Sequence, residues 1–470
     1  MVETFQTKLS DSKLWRWTAL ILLASAMFFA YIFVDILSPL QEFLQTQRGW
    51  DPVAYGHYAG SEPFLNVFVF FLIFAGIILD KMGVRFTAVL SGMVMVVGAG
   101  INYYAVSDFF VESSMETFFT NTLNLPQTWW NVTPFYAGMP ASAKLSAIGF
   151  MIFGCGAEMA GITVSRGIVK WFKGKEMALA MGIEMAIARV GVAVVVVASP
   201  ALAAIKPISV SRPVAFELVL LCIGLICFIV YGFMDKKLDA QGVEEEKDDP
   251  FKVSDISKIL SLKVFWLVAL LCVLYYSAIF PFQKYAINML QCNLHFSAAD
   301  AGLVFFVFPL GAAVTPFLGN YLDHKGKGAS MLILGAILMI VCHLVFAFVV
   351  PATQSVVITL TAVIVLGISF SLVPAALWPS VPKLIDEKLI GSAYALIFWI
   401  QNIGLYAFPM IIGSVLSASN PGITDPLQYN YTIPMCVFAS LGVMALFLGF
   451  ALKALDKKKG YGLEAPNIQS

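Results

Sequence analysis

Runs of apolar residues, each long enough to cross a bilayer, recur along the chain and are separated by shorter charged or glycine-rich connectors. An α-helix rises 1.5 Å per residue, so about 20 apolar residues cross a hydrocarbon layer about 30 Å thick. The pattern predicts twelve transmembrane helices, at residues 14–38, 54–79, 86–105, 143–168, 177–203, 213–234, 264–286, 300–321, 331–350, 356–379, 391–417 and 433–453. The fold class is therefore all-α integral membrane. Residues 1–13 are polar, and the apolar run that follows is too long for a cleavable signal.

Composition agrees. Of 470 residues, 59% are hydrophobic and only 12% charged, with a mean hydropathy of +0.84, too little charge to coat a water-facing surface. The 29 basic and 29 acidic residues cancel, which removes any global field for nucleic acid. Seven cysteines lie almost entirely inside apolar runs without a CxxC pair, and the four histidines are scattered. No metal site, cofactor or enzymatic constellation is expected. Lysine and arginine are strongly biased: 22 fall on the face that would carry both termini, five on the other. By the positive-inside rule both termini are expected in the cytoplasm.

The charged stretch 235–263 falls midway and reads as a linker between two six-helix halves, residues 1–234 and 264–453, with a tail over 454–470. Within the linker, Phe251 to Leu262 has the pattern of an amphipathic helix. The loop 106–142 is unusually long and carries Phe109, Phe110, Phe118, Phe119, Trp129 and Trp130, suited to a partial cap at the membrane interface.

A repeat supports the two halves. Gly76, Asp80 and Gly83 after the second helix recur as Gly319, Asp323 and Gly326 after the eighth, at a constant offset of 243. The glycines allow a tight turn. The Asp is expected at the start of the following helix, where its charge suits the dipole. Asp80, Gly83, Arg85, Arg166, Asp323 and Gly326 form the candidate gate, with Asp80 facing Arg166.

Ionisable residues at bilayer depth are costly and usually functional. Glu158 and Arg189 fall at similar depth on the adjacent fourth and fifth helices, with Glu184 nearer the cytoplasm and Asp35 and Glu62 in the outer halves of the first and second. The second half supplies Tyr275, Tyr276, Lys284, Trp399, Gln401 and Asn402, with Pro281 expected to kink the seventh helix. A guanidinium suits a carboxylate and a carboxylate suits an ammonium, so a site holding both recognises a zwitterion. Charge alone fits a dipeptide, an amino acid or an organic anion equally. A structural Glu158–Arg189 ion pair is the simplest non-functional alternative.

Several stretches resemble the lysosomal dipeptide transporter family of the major facilitator superfamily: Asp35 to Gln41, Trp171 to Glu176, Ala188 to Gly191, Tyr275-Tyr276 with Phe280 to Phe282, Ala376 to Pro379, Gly391 to Tyr394 and Gln401 to Leu405. The resemblance covers all twelve helices. It implies that fold and facilitated dipeptide transport without chemistry, as a uniport or coupled to protons, with Glu158 and Arg189 as binding residues and the glycine-flanked loops as gate latches. The protein is expected to work as a monomer among membrane lipids. The animal protein works with an accessory glycoprotein, of which the sequence carries no sign. The long outer loop is not a feature of that family, and residues 1–13 hold no acidic dileucine signal. A bacterial plasma membrane is therefore expected rather than a lysosomal one. The first helix lacks the ExxER signature of proton-coupled peptide transporters, and Glu62, Glu158 and Glu184 leave proton coupling open.

Overall fold

The computed structural model describes residues 8–127, 132–241, 253–311, 314–386 and 389–466. Among the described residues, eleven helical stretches, some made of more than one helix, are long and apolar enough to cross a membrane. In chain order the helices are α1 (Lys13–Val34), α2 (Gln41–Arg48), α3 (Pro52–Gly60), α4 (Phe64–Val69), α5 (Phe71–Val106), α6 (Ser114–Asn121), α7 (Ala141–Phe172), α8 (Met177–Ala204), α9 (Ser211–Asp239) and α10 (Val253–Leu260). There follow α11 (Lys263–Leu294), α12 (Ala298–Phe305), α13 (Val307–Gly311), α14 (Thr315–Lys325), α15 (Gly328–Leu344), α16 (Val350–Thr353), α17 (Val356–Leu384), α18 (Ile390–Ser419) and α19 (Thr432–Lys459).

The difference from twelve continuous spans has a physical cause in the second helix. Pro63 has no N–H to continue the ladder of α3, and Phe70 takes a left-handed conformation at φ 56°, so the crossing is made of α3, α4 and the start of α5. Glu62 lies at this break. Gly154 of α7 makes room for it: a Cβ there would come within 2.3 Å of the Glu62 carbonyl oxygen. The second and third helices then join through Gly83, whose φ 77° and ψ 169° turn the chain within α5. The eighth crossing holds α12 and α13, interrupted at Phe306, and then α14 beyond residues 312 and 313, which lie outside the described residues; α11 runs unbroken through Pro281. The amphipathic segment of the linker forms α10; Phe251 and Lys252 lie outside the described residues.

Helices α1, α5, α7, α8 and α9 pack on one another, as do α11, α15, α17, α18 and α19. The two sets meet where α3 crosses α18 and α8 meets α12 and α13. Small residues bring these backbones together. A Cβ on Gly60 would lie 2.3 Å from the Tyr406 carbonyl, one on Gly413 2.2 Å from that of Pro52, and one on Gly302 2.0 Å from that of Val196. These contacts lie toward the face opposite the chain ends, here the far face.

The long loop folds back over that face. Lys144, with 1% exposure, donates from Nζ to the carbonyls of Phe119 and Thr122 and to Asn124 Oδ1, capping the end of α6. Tyr406 of α18 donates to the Val132 carbonyl, so the loop reaches the second set. Trp129 and Trp130 lie outside the described residues.

Candidate substrate site

Four charged side chains of the first set gather around one tyrosine. Tyr31 on α1 feels the charges of Arg189 and Glu184 on α8, Glu158 on α7 and Glu62 at the α3–α4 break. All four are half-buried. The Asn402 side chain of α18 lies close to the Glu158 carboxylate, which brings the second set to the cluster. Among the described residues no carboxylate lies within 4 Å of the Arg189 guanidinium; a direct Glu158–Arg189 ion pair, the simplest structural use of these residues, is absent.

Arg189 instead sits among aromatic rings. Its guanidinium carbon lies 6.0 Å from the Tyr31 ring centre, 5.8 Å from that of Phe280 on α11 and 5.7 Å from that of Phe370 on α17. Ring faces attract a cation at this range by about 0.5–2 kcal/mol each, depending on desolvation. They do so without occupying its hydrogen-bond donors, so the fork stays free for a ligand. Behind the two phenylalanines the rings continue: Tyr276 stacks on Phe280 at 5.4 Å, and Trp378 donates to the Tyr276 hydroxyl at 3.2 Å.

The sequence candidates divide into three groups. Arg189, Glu158, Glu184, Glu62, Tyr276 and Asn402 belong to this cluster or border it. Asp35 and Lys284 engage each other: Lys284 Nζ lies 2.7 Å from Asp35 Oδ1 and 2.6 Å from the Val34 carbonyl, with both side chains almost wholly buried and the ammonium 5.8 Å from the Phe150 ring. Both still act on Glu62 electrostatically. The third group points elsewhere. Tyr275 is fully buried and donates to the Leu332 carbonyl on α15, away from the cluster. Trp399 donates to the Val67 carbonyl of α4 at 2.9 Å and stacks on Phe70, and Gln401 accepts from the Cys272 thiol at 3.2 Å.

Sequence reasoning left Tyr31 and Phe370 out and quoted Phe280 only within a motif. Two of these carried a signal. Tyr31 precedes Asp35 by four residues, and Tyr276, Phe280 and Lys284 follow one another at intervals of four, which places them on one helix face. Phe370 sits in an apolar run and carried none.

On the face of the chain ends, the gate candidates Asp80 and Arg166 lie 2.6 Å apart, and Arg85 pairs with Asp239 at 3.1 Å. The repeat's dipole reading needs correcting. Asp80 precedes the turn at Gly83, and Asp323 is in the last turns of α14, not at the start of the next helix. A carboxylate there faces the negative end of its own helix, and Arg166 offsets that for Asp80. Asp80→Ala is expected to shift the accessibility of the two faces by about fivefold, the scale of a partly exposed pair worth about 1 kcal/mol. Thiol labelling from each side measures it, and an unchanged balance removes the latch role.

The connector quoted for the family resemblance works as a clip. Trp171 Nε1 and Lys170 Nζ both reach the buried Asp235, at 2.9 and 2.7 Å. Glu176 accepts from Arg16 at 2.9 Å, and Lys175 pairs with Asp11 at 2.8 Å. The Arg16 guanidinium holds the Glu176 carboxyl below the usual carboxylate range.

Comparison with known proteins places the fold. The chain is 28% identical to the lysosomal dipeptide transporter MFSD1 of Danio rerio over 65% of its length and 66% of that protein's, and 28% identical to human MFSD1 over 58% and 60%. It thus spans just under two thirds of these relatives. Among solved structures, a bacterial homologue of the human lysosomal transporter Spinster superposes with a TM-score of 0.70 at 13% identity, covering 95% of this chain and 98% of that one. The nucleoside transporter NupG superposes at 0.68 and 11%, covering 93% and 99%. Residues 23–409 match the model of the Major Facilitator Superfamily. With that match across most of its length, the chain belongs to the major facilitator superfamily, whose members are membrane transporters and not enzymes.

Proposed function

We propose that this secondary transporter carries dipeptides by alternating access, with Arg189 taking the substrate carboxylate and Glu158 its amino group. The observation that carries the reading is an unpaired guanidinium caged by three rings beside a group of carboxylates. A zwitterion satisfies both signs at once. Two extended residues span about 7 Å, a length suited to ends held on neighbouring helices. The similarity to MFSD1 supports the same substrate class. Glu184 and Glu62 assist at the amino end, and Tyr276 and Asn402 supply the opposing wall.

An organic anion would also use Arg189, but it would enter beside three acidic residues with nothing to offer them. A single amino acid is the closer competitor, because its two charges are present but less separated. The lysine and arginine bias supports cytoplasmic termini; a plasma membrane and a monomeric working unit complete the proposal.

Counterflow in proteoliposomes tests the proposal. Vesicles loaded with a mixed dipeptide library are expected to accumulate labelled dipeptide far above protein-free controls, and amino acids or organic acids to compete weakly. Repeating the assay with a pH gradient separates uniport from proton coupling. Counterflow driven by amino acids or organic acids but not by dipeptides overturns the assignment.

A further inference from the structure

The two glycine-flanked turns of the repeat are held in different ways, and the second is held by the end of the chain. The turn at Gly83 is braced within the first helix set, by Asp80 of α5 and Arg166 of α7. At the matching turn, Gly326 to Ser330, the segment after α19 folds back across the backbone. Gly460 and Gly462, at φ 72° and 79°, make the reversal. The segment then lays Leu463 and Glu464 along the turn. The Lys327 N–H donates to the Glu464 carbonyl at 3.1 Å and the Gly328 N–H to the Leu463 carbonyl at 2.9 Å. The Glu464 carboxylate accepts from the Ser330 N–H and from the Ser330 hydroxyl, each at 2.8 Å. These bonds satisfy N–H groups at the start of α15 that have no partner within the helix, and they put a carboxylate at its N-terminus.

The same segment ties two other helix ends to the turn. Lys383, near the end of α17, donates to the Gly462 carbonyl at 3.0 Å. Lys453 of α19 donates to the Ser330 hydroxyl at 2.6 Å and pairs with Glu464 at 3.7 Å. Leu463 is 2% exposed, and its N–H reaches the buried Asp456 at 3.1 Å. The backbone approach explains the second glycine of the motif in this half. A Cβ on Gly326 would lie 2.4 Å from the Glu464 carbonyl oxygen, in addition to the strain of φ 70°.

We propose that residues 460–466 act as an intramolecular clamp that fastens the α14–α15 turn to the ends of α17 and α19, so that this part of the second helix set moves as one block. Its loss frees the turn and loosens that block on the face of the chain ends. The clamp concerns the gate and not the ligand, so it stands or falls independently of the dipeptide assignment.

Hydrogen exchange on the full-length protein in nanodiscs, without substrate, tests it. Truncation after Lys459 is expected to speed exchange at the amides of Lys327, Gly328 and Ser330 by on the order of tenfold, the effect of one lost hydrogen bond of about 1.4 kcal/mol. A synthetic peptide spanning Gly460 to Pro466, added in excess, restores the slow rate. Glu464→Ala leaves the chain end in place, gives a smaller increase at Ser330 and carries the test where the truncated protein does not fold. On a background lacking the seven native cysteines, spin labels at positions 237 and 325 show a broader distance distribution in either variant. Exchange at the turn unchanged in the variants, or faster exchange with an unchanged distance distribution, overturns the clamp.

Discussion

Arg189→Ala is expected to reduce dipeptide counterflow to the level of empty vesicles while leaving the protein folded. Both halves of that expectation come from the surroundings of the guanidinium. No carboxylate within 4 Å depends on it among the described residues, so its removal orphans no charge. The three lost ring contacts, about 0.5–1 kcal/mol each at a half-buried site, amount to about 1.5–3 kcal/mol in total, which moves the melting temperature by a few degrees. A substrate carboxylate, by contrast, loses a bidentate charge-assisted partner. Hydrogen bonds to charged groups contribute about 1.5–3 kcal/mol each, so two of them correspond to at least a hundredfold in affinity. Arg189→Lys keeps the charge but not the fork and is expected to fall between, with a raised KM. Thermal unfolding and gel filtration establish the fold, and counterflow establishes the activity. Near-normal dipeptide transport by Arg189→Ala removes it as the carboxylate site. A transport-dead variant that is also unfolded would make Arg189 a structural residue.

The cluster around Tyr31 was partly written in the sequence because charge in an apolar run stands out whatever it does. Arg189, Glu158, Glu184 and Glu62 were visible for that reason, and so were Asp35 and Lys284. Spacing along one helix cannot tell a charge that faces a ligand from one that faces a partner on another helix. Asp35 and Lys284 are separated by most of the first set and the linker, and only the fold brings them within 2.7 Å. The aromatic residues failed differently. Tyr275 and Tyr276 are neighbours in sequence, yet helical geometry turns them about 100° apart. One is directed at α15 and the other at the Phe280 side of the cluster. Phe370 has no polar atom and no neighbour to distinguish it from packing. The fold was legible at the level of spans because hydrophobic length is a local property. The division of the second helix was half-legible through Pro63, but the left-handed Phe70 depends on packing that the sequence does not display. In the tail over 454–470 the glycines at 460 and 462 mark a reversal, but what the reversed segment packs against is set by the fold.

The same pair defines the second large effect, because Lys284 concentrates the closure of the far face. Its ammonium holds Asp35 and the Val34 carbonyl of the first set. Its backbone carbonyl accepts from Gln41 at 2.7 Å and from the Tyr55 hydroxyl at 2.9 Å, both also from the first set. Four contacts between the two helix sets thus converge on one residue, and they must separate if the far face is to open. Breaking a buried ion pair by removing one partner costs about 3–5 kcal/mol. A shift from 1:99 to 99:1 between two states requires about 5.5 kcal/mol. Asp35→Asn is therefore expected to move most of the population toward a far-open arrangement, raising far-side thiol labelling of a cysteine placed at Ser61 by more than tenfold. Exchanging the charges in Asp35→Lys with Lys284→Asp restores part of the closure, since the backbone contacts of residue 284 survive the exchange. Substrate binding separates this role from the other one open to these residues. If Asp35 and Lys284 hold the ligand directly, Asn at position 35 weakens dipeptide binding and leaves labelling at Ser61 unchanged. If they hold the two helix sets together, labelling changes in protein that has met no ligand. The charge-exchanged protein then recovers both closure and transport, which a disrupted binding site would not do.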